Sequence, residues 1–146
     1  MIRSRLLGAA RDRRGATAIE FSLVAISLLM LVFGIIEFGR VMWTREALQE
    51  TAIATARCMG VLNSNCAAGG VYSASATTSY VERVALGWGL TIPDSGVTLN
   101  SSATCGGVAG FSQVTVAYTF QTVAPGLSLP ASGMPLSATA CFPNNS

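Results

Sequence analysis

Apolar and polar positions along this chain fall into three successive patterns. Between residues 16 and 36 Glu20 is the only charge, and from Phe21 to Ile36 only Ser22 and Ser27 break an apolar run. A helix that is apolar on every face has no side to offer water. At about 1.5 Å of rise per residue the run predicts a helix of roughly 30 Å, the thickness of a bilayer's hydrocarbon core. A buried core helix is the alternative, but the rest of the chain carries too little apolar mass to enclose one. Residues 37–57 contain no Pro and only Gly39, and they are rich in Ala, Leu, Gln, Glu and Arg, which favour helix. One helix from about residue 17 to about 57 is therefore expected. It would span the membrane over residues 16–42 and emerge as a stalk over 43–57. Ala47, Thr51 and Ala54 give the stalk a face of small residues, suited to another helix, a sheet or the chain's own domain.

Past Cys58 the composition turns to Gly, Ala, Ser, Asn and Thr, with Glu82, Arg83 and Asp94 as the charges. Ser79 and Glu82 fit a capping box and Gly87 suits a helix stop, so a short helix is predicted around residues 76–87. Ser73 is an equally good cap. Val97 and Leu99 alternate with Thr98 in a short strand. Over residues 113–121, Val114, Val116, Tyr118 and Phe120 alternate with Thr115, Ala117 and Thr119, the clearest period of two in the chain. A third strand is expected at about 135–142, after a loop with Pro125 and Pro130. The fold class is α+β: a long N-terminal membrane-spanning helix, continuing as a stalk, packed on a small antiparallel β-sheet of about three strands, with a short second helix.

Charge adds direction. Arg3, Arg5, Arg11, Arg13 and Arg14 face a lone Asp12 ahead of the apolar run, whereas Glu37, Arg40, Arg45, Glu46 and Glu50 nearly cancel behind it. The excess of positive charge predicts a cytoplasmic N-terminus, with Arg13 and Arg14 at the inner interface and residues 58–146 exported. Trp43 suits the outer interface. The run is long for a cleavable secretory signal, and no small-x-small site follows it.

Candidate chemistry is sparse. The chain has no His, the commonest general base and metal ligand, and no Lys. Cys58, Cys66, Cys105 and Cys141 fall in the part expected outside the cytoplasm, and an even count there reads as two disulfides. Three pairings are open, and proximity along the chain favours Cys58–Cys66 with Cys105–Cys141. Their spacings are too wide for a zinc site, and a catalytic Cys would want a His. Glu82 and Asp94 read as solubilising acids. Gly87-Trp88-Gly89 and Cys105-Gly106-Gly107 lack the Lys of a phosphate loop and read as turns, with Trp88 more readily a core aromatic than a contact one. The exported part does not interleave basic and aromatic residues as nucleic-acid binding requires. The expectation is a protein that is not an enzyme and has no metal, no cofactor and no nucleic-acid partner.

The segment Arg13-Arg14-Gly15-Ala16-Thr17-Ala18-Ile19-Glu20-Phe21 has the pattern of a type IV prepilin-like signal: a basic leader (residues 1–15) ending in Gly, then a carboxylate five positions on. Cutting after Gly15 would leave an ammonium on Ala16. Glu20 at the edge of hydrocarbon is costly unless it pairs, and a neighbouring subunit's N-terminal ammonium is a natural partner. Snorkelling of Glu20 to the interface is the alternative.

With Gly34-Ile35-Ile36-Glu37-Phe38-Gly39-Arg40 and Ala47-Leu48-Gln49-Glu50-Thr51-Ala52, these residues resemble the TadE-like family, minor pilins or pseudopilins of bacterial tight-adherence (Tad) pilus systems. The resemblance is specific over roughly residues 13–57. It implies a pilin-like subunit of the inner membrane with a periplasmic or cell-surface domain. The Gly15–Ala16 bond would be cut by a prepilin peptidase, and Glu20, followed by the aromatic Phe21 where relatives often carry Tyr, would set assembly register. Implied partners are that peptidase, other pilin-type subunits, the inner-membrane assembly platform and membrane lipid. The other reading is a single-pass, membrane-anchored envelope binding or adhesin module unrelated to pili.

Overall fold

A computed structural model describes residues 14–123 and 133–145. The leader with Arg13, the loop with Pro125 and Pro130, and the side chains of Arg14 and Ala16 lie outside the described residues. By its internal contacts the chain divides into two units, Met1–Phe38 and Gly39–Ser146.

Helix α1, Arg14–Gly60, runs through 47 residues and contributes to both units. In the first unit the large apolar side chains from Ile19 to Ile36 are exposed, among them Phe21, Leu29 and Phe33, whereas Glu37 is buried. Among the described residues this helix is long and apolar enough to cross a membrane, and its most apolar stretch is entirely unburied. Its backbone amides are satisfied inside the helix, the condition for standing in hydrocarbon. The two hydroxyls on this stretch follow suit: Ser22 Oγ donates to the Ala18 carbonyl at 2.7 Å and Ser27 Oγ to the Leu23 carbonyl at 3.0 Å.

The second unit begins within α1 and is a one-sided sandwich. The strands are β1 (Ala67–Ala68), β2 (Val71–Tyr72), β3 (Val97–Cys105), β4 (Val108–Phe120) and β5 (Met134–Pro143); helix α2 is Ala74–Gly87, and a single 3₁₀ turn spans Asp94–Gly96. Strands β3, β4 and β5 form an antiparallel meander in sequence order. Val114, Val116 and Phe120 of β4 and Leu136, Ala138 and Ala140 of β5 turn inward, so the alternation in the sequence is the buried face of the sheet. Ala47, Leu48, Ala52, Ala56 and Met59 of α1 join them, with Val81 and Ala85 of α2, in one core. The small residues of the stalk thus serve the chain's own domain. Their hydroxyl neighbours are accommodated without unpaired atoms, since Thr51 Oγ1 and Thr55 Oγ1 each donate to the carbonyl four residues back at 2.7 Å.

Two Gly-Gly pairs make the hairpin turns. Gly69 and Gly70 (φ 61° and 80°) join β1 to β2, and Gly106 and Gly107 (φ 59° and 85°) join β3 to β4. Both central residues of such two-residue turns need positive φ, which only glycine adopts at little cost. Strand β3 is longer than its sequence pattern suggests. Its register shifts between Asn100 and Ala103 and again before Thr104, and these bulges break the period of two that marks a strand.

Helix α2 starts at Ala74 with Ser73 as its cap, the Ser73 hydroxyl accepting from the Ala76 amide at 3.4 Å. Ser79 and Glu82 therefore lie inside the helix, and the capping-box start does not occur. Its end is at Gly87, where the sequence places it, and the closure follows just beyond. Gly89 adopts φ 78°, its amide donates to the Leu86 carbonyl and the Leu90 amide to the Ala85 carbonyl, both at 2.9 Å, which is a Schellman closure.

Candidate functional site

The functional segment expected from the sequence is the N-terminal part of α1. Gly15 and Ala16 are both helical, where the sequence predicts the helix from about residue 17. A Cβ at Gly15 would meet nothing within 4 Å, so the glycine is not required by packing.

One turn further on, Glu20 is exposed, and among the described residues it has no ion-pair partner. Phe21 beside it is three-quarters exposed. The structure therefore presents a carboxylate and an aromatic at the start of an all-apolar surface, where an unpartnered charge is costly in lipid. This surface can take a cation from outside the chain.

At the other end of the apolar run, Arg40 places its guanidinium 5.1 Å from the centre of the Phe120 ring, at the end of β4. Trp43, one turn later, is exposed and meets Trp88 edge-to-face with ring centres 5.5 Å apart at 66°. Trp88, at the C-terminus of α2, is thus not a core residue. The core places in this region are taken by Leu90 and Ile92, just beyond it. The sequence signal for this was the Gly on either side of Trp88, which gives a turn and not an element with an inward face.

The four cysteines form Cys58–Cys66 and Cys105–Cys141, with Cα atoms 5.9 and 6.6 Å apart. The first closes the end of α1 onto the segment before β1. The second joins the two strands that flank β4, which do not pair with each other. Glu82 and Asp94 are exposed on separate elements. Burial pushes the Tyr72 phenol above its ordinary value, partly opposed by its hydrogen bond with Thr77, so this group stays neutral and is no base.

Comparison with known proteins adds one finding. Residues 15–57 match the family model described as TadE-like protein. The match covers α1 except its first residue and its last three, and stops where the disulfide-bonded part begins. No curated protein and no solved structure matches the chain. The resemblance carried by the Gly15–Glu20 motif and the apolar helix thus extends along most of α1, and residues 15–57 are similar to the TadE-like family.

Proposed function

We propose that this protein is a TadE-like minor pilin or pseudopilin, anchored in the bacterial inner membrane by α1 and acting in the assembly of a Tad pilus. The observation that carries the reading is the coincidence of the TadE-like segment with a helix whose apolar half is wholly exposed and begins at a single carboxylate, Glu20. In this role the apolar half packs beside the helices of other pilin-type subunits. Glu20 accepts the N-terminal ammonium of a neighbour, which sets the stagger between subunits. A prepilin peptidase cuts between Gly15 and Ala16, and the assembly platform of the inner membrane receives the processed chain. Residues 58–146 face the periplasm or the cell surface, as the positive charge ahead of the span directs. The role is structural and not catalytic, in keeping with the absence of His and the separation of Glu82 from Asp94.

Two measurements test this. The intact mass of the protein from native membranes, with and without the peptidase, should show a chain beginning at Ala16 only when the peptidase is present. Glu20→Ala should insert normally and abolish surface pili. A full-length chain in the presence of the peptidase, together with normal piliation of Glu20→Ala, would transfer the protein to the class of membrane-anchored envelope modules.

A further inference from the structure

We propose that the globular unit is held against the outer surface of the membrane by Trp88 and Leu86, which enter the lipid headgroup region beside Trp43. This rests on the reading of α1 as a membrane span.

Trp43 follows the apolar run by seven residues, where an indole belongs at the interface between hydrocarbon and water. Trp88 comes from a remote part of the chain, yet its ring is 5.5 Å from that of Trp43, so the two indoles occupy one level. The Schellman closure makes this placement firm. Leu90 is buried and Gly89 turns the chain, which leaves Trp88 and Leu86 on the outside, with Leu86 61% exposed. The end of β4 reaches the same level, since Phe120 lies under Arg40, one helical turn before Trp43; Val123, just beyond, is 72% exposed. Two chain segments, α1 and the end of α2, thus bring exposed apolar side chains together, beside the end of β4.

The chemistry of that end favours lipid over a protein partner. From Val84 to Pro93 there is no charged residue, so the α2 terminus enters the interface without desolvating a charge. An indole has an apolar body and one N–H, which suits it to a boundary that is wet on one side. The opposite end of the unit, with Asn144, Asn145 and the Cys58–Cys66 bridge, also exposes apolar residues, Val61 and Leu62, but carries no tryptophan. Trp43, a member of this cluster, belongs to the same helix as the apolar run and follows it by seven residues.

The chain has two Trp, so each can be read alone. The full-length W43F and W88F variants are reconstituted in vesicles whose lipids carry bromine either near the headgroup or near the end of the acyl chain. Trp88, read in W43F, should be quenched by the shallow bromines at least half as strongly as Trp43, read in W88F, and less by the deep ones. Quenching of Trp43 with none of Trp88 overturns the proposal and leaves the span intact. Loss of quenching at both overturns the membrane reading as well. The W43Y variant repeats the Trp88 measurement with another interfacial ring at residue 43, so a weakened ring pair in W43F cannot decide the result. Should Trp88 instead respond only to protein concentration, a second copy covers it and the proposal fails.

Discussion

Between residues 17 and 36 helix α1 turns Ile, Phe, Leu and Met outward on every face, whereas between residues 44 and 59 it buries Ala47, Leu48, Thr51, Ala52, Thr55, Ala56 and Met59 on one face. The backbone is the same in both halves, and in both the Ser and Thr hydroxyls donate to the carbonyl four residues back. Side-chain size separates them. Large side chains that point outward need an apolar surround, and more than ten do so here. Burying one fully is worth about 1.5–3 kcal/mol, so together they exceed the whole stability of a small domain, about 5–15 kcal/mol. No fold of this chain could carry that load in water. Small side chains do the reverse: they let a sheet approach the helix, and they contribute by closeness rather than by area. The comparison teaches that one helix can hold two solvents apart by changing side-chain volume along its length.

The largest expected effect lies in the domain half. Replacing Cys105 and Cys141 together by Ser opens a loop of 36 residues and should cost about 4 kcal/mol by loop entropy, against about 2.5 kcal/mol for the Cys58–Cys66 loop of 8. Denaturation of the full chain in detergent reads both, and equal losses would show that the longer bridge adds no constraint. Next, Leu48→Ala removes a fully buried side chain and should cost about 2–5 kcal/mol, whereas Leu29→Ala, on the exposed half, should leave the same transition unmoved. If Leu29→Ala shifted the transition as far as Leu48→Ala, the division of α1 into two regimes would be wrong.

Glycines sharpen the comparison further. A Cβ at Gly60 would stand 2.6 Å from the Phe142 ring and 2.8 Å from the Pro143 carbonyl oxygen, while one at Gly39 meets nothing within 4 Å. Gly60→Ala is expected to lower the midpoint by about 1–3 kcal/mol, and Gly39→Ala to be neutral or to stabilise by less than about 1 kcal/mol. The smallest effect is at the α2 cap, where Ser73→Ala should cost about 1 kcal/mol. Ser79→Ala should cost less than Ser73→Ala, and the reverse order would restore the capping box at Ser79.

Much of this fold was legible in the residues. The apolar run, the helix-forming stalk and the alternation at Val114, Val116, Tyr118 and Phe120 are local periodicities, and each element appears where its period lies. The pairs Cys58–Cys66 and Cys105–Cys141 are the ones chain proximity favoured. Other features were hidden for stated reasons. Bulges near Asn100 and Ala103 erased half of the β3 pattern, and β1 and β2, two residues each, are too short to show a period. Two serines competed for one cap, and only the helix's actual start separates them. For the candidate site, the Gly15-to-Glu20 motif was readable because its spacing is local. The Trp43–Trp88 pair was not, because nothing in the sequence relates two positions 45 residues apart.

By itself the sequence determined which side chains need an apolar surround outside the fold and which need a core, since hydrophobic demand is a property of each residue and its local period. It also determined the turns, because Gly-Gly pairs permit a backbone other residues avoid. Only the tertiary structure decided what covers the small-residue face of α1, which serine caps α2, and that Trp88 is at the surface beside Trp43. These depend on how remote segments meet, and the free energy that selects them comes from contacts no single segment contains.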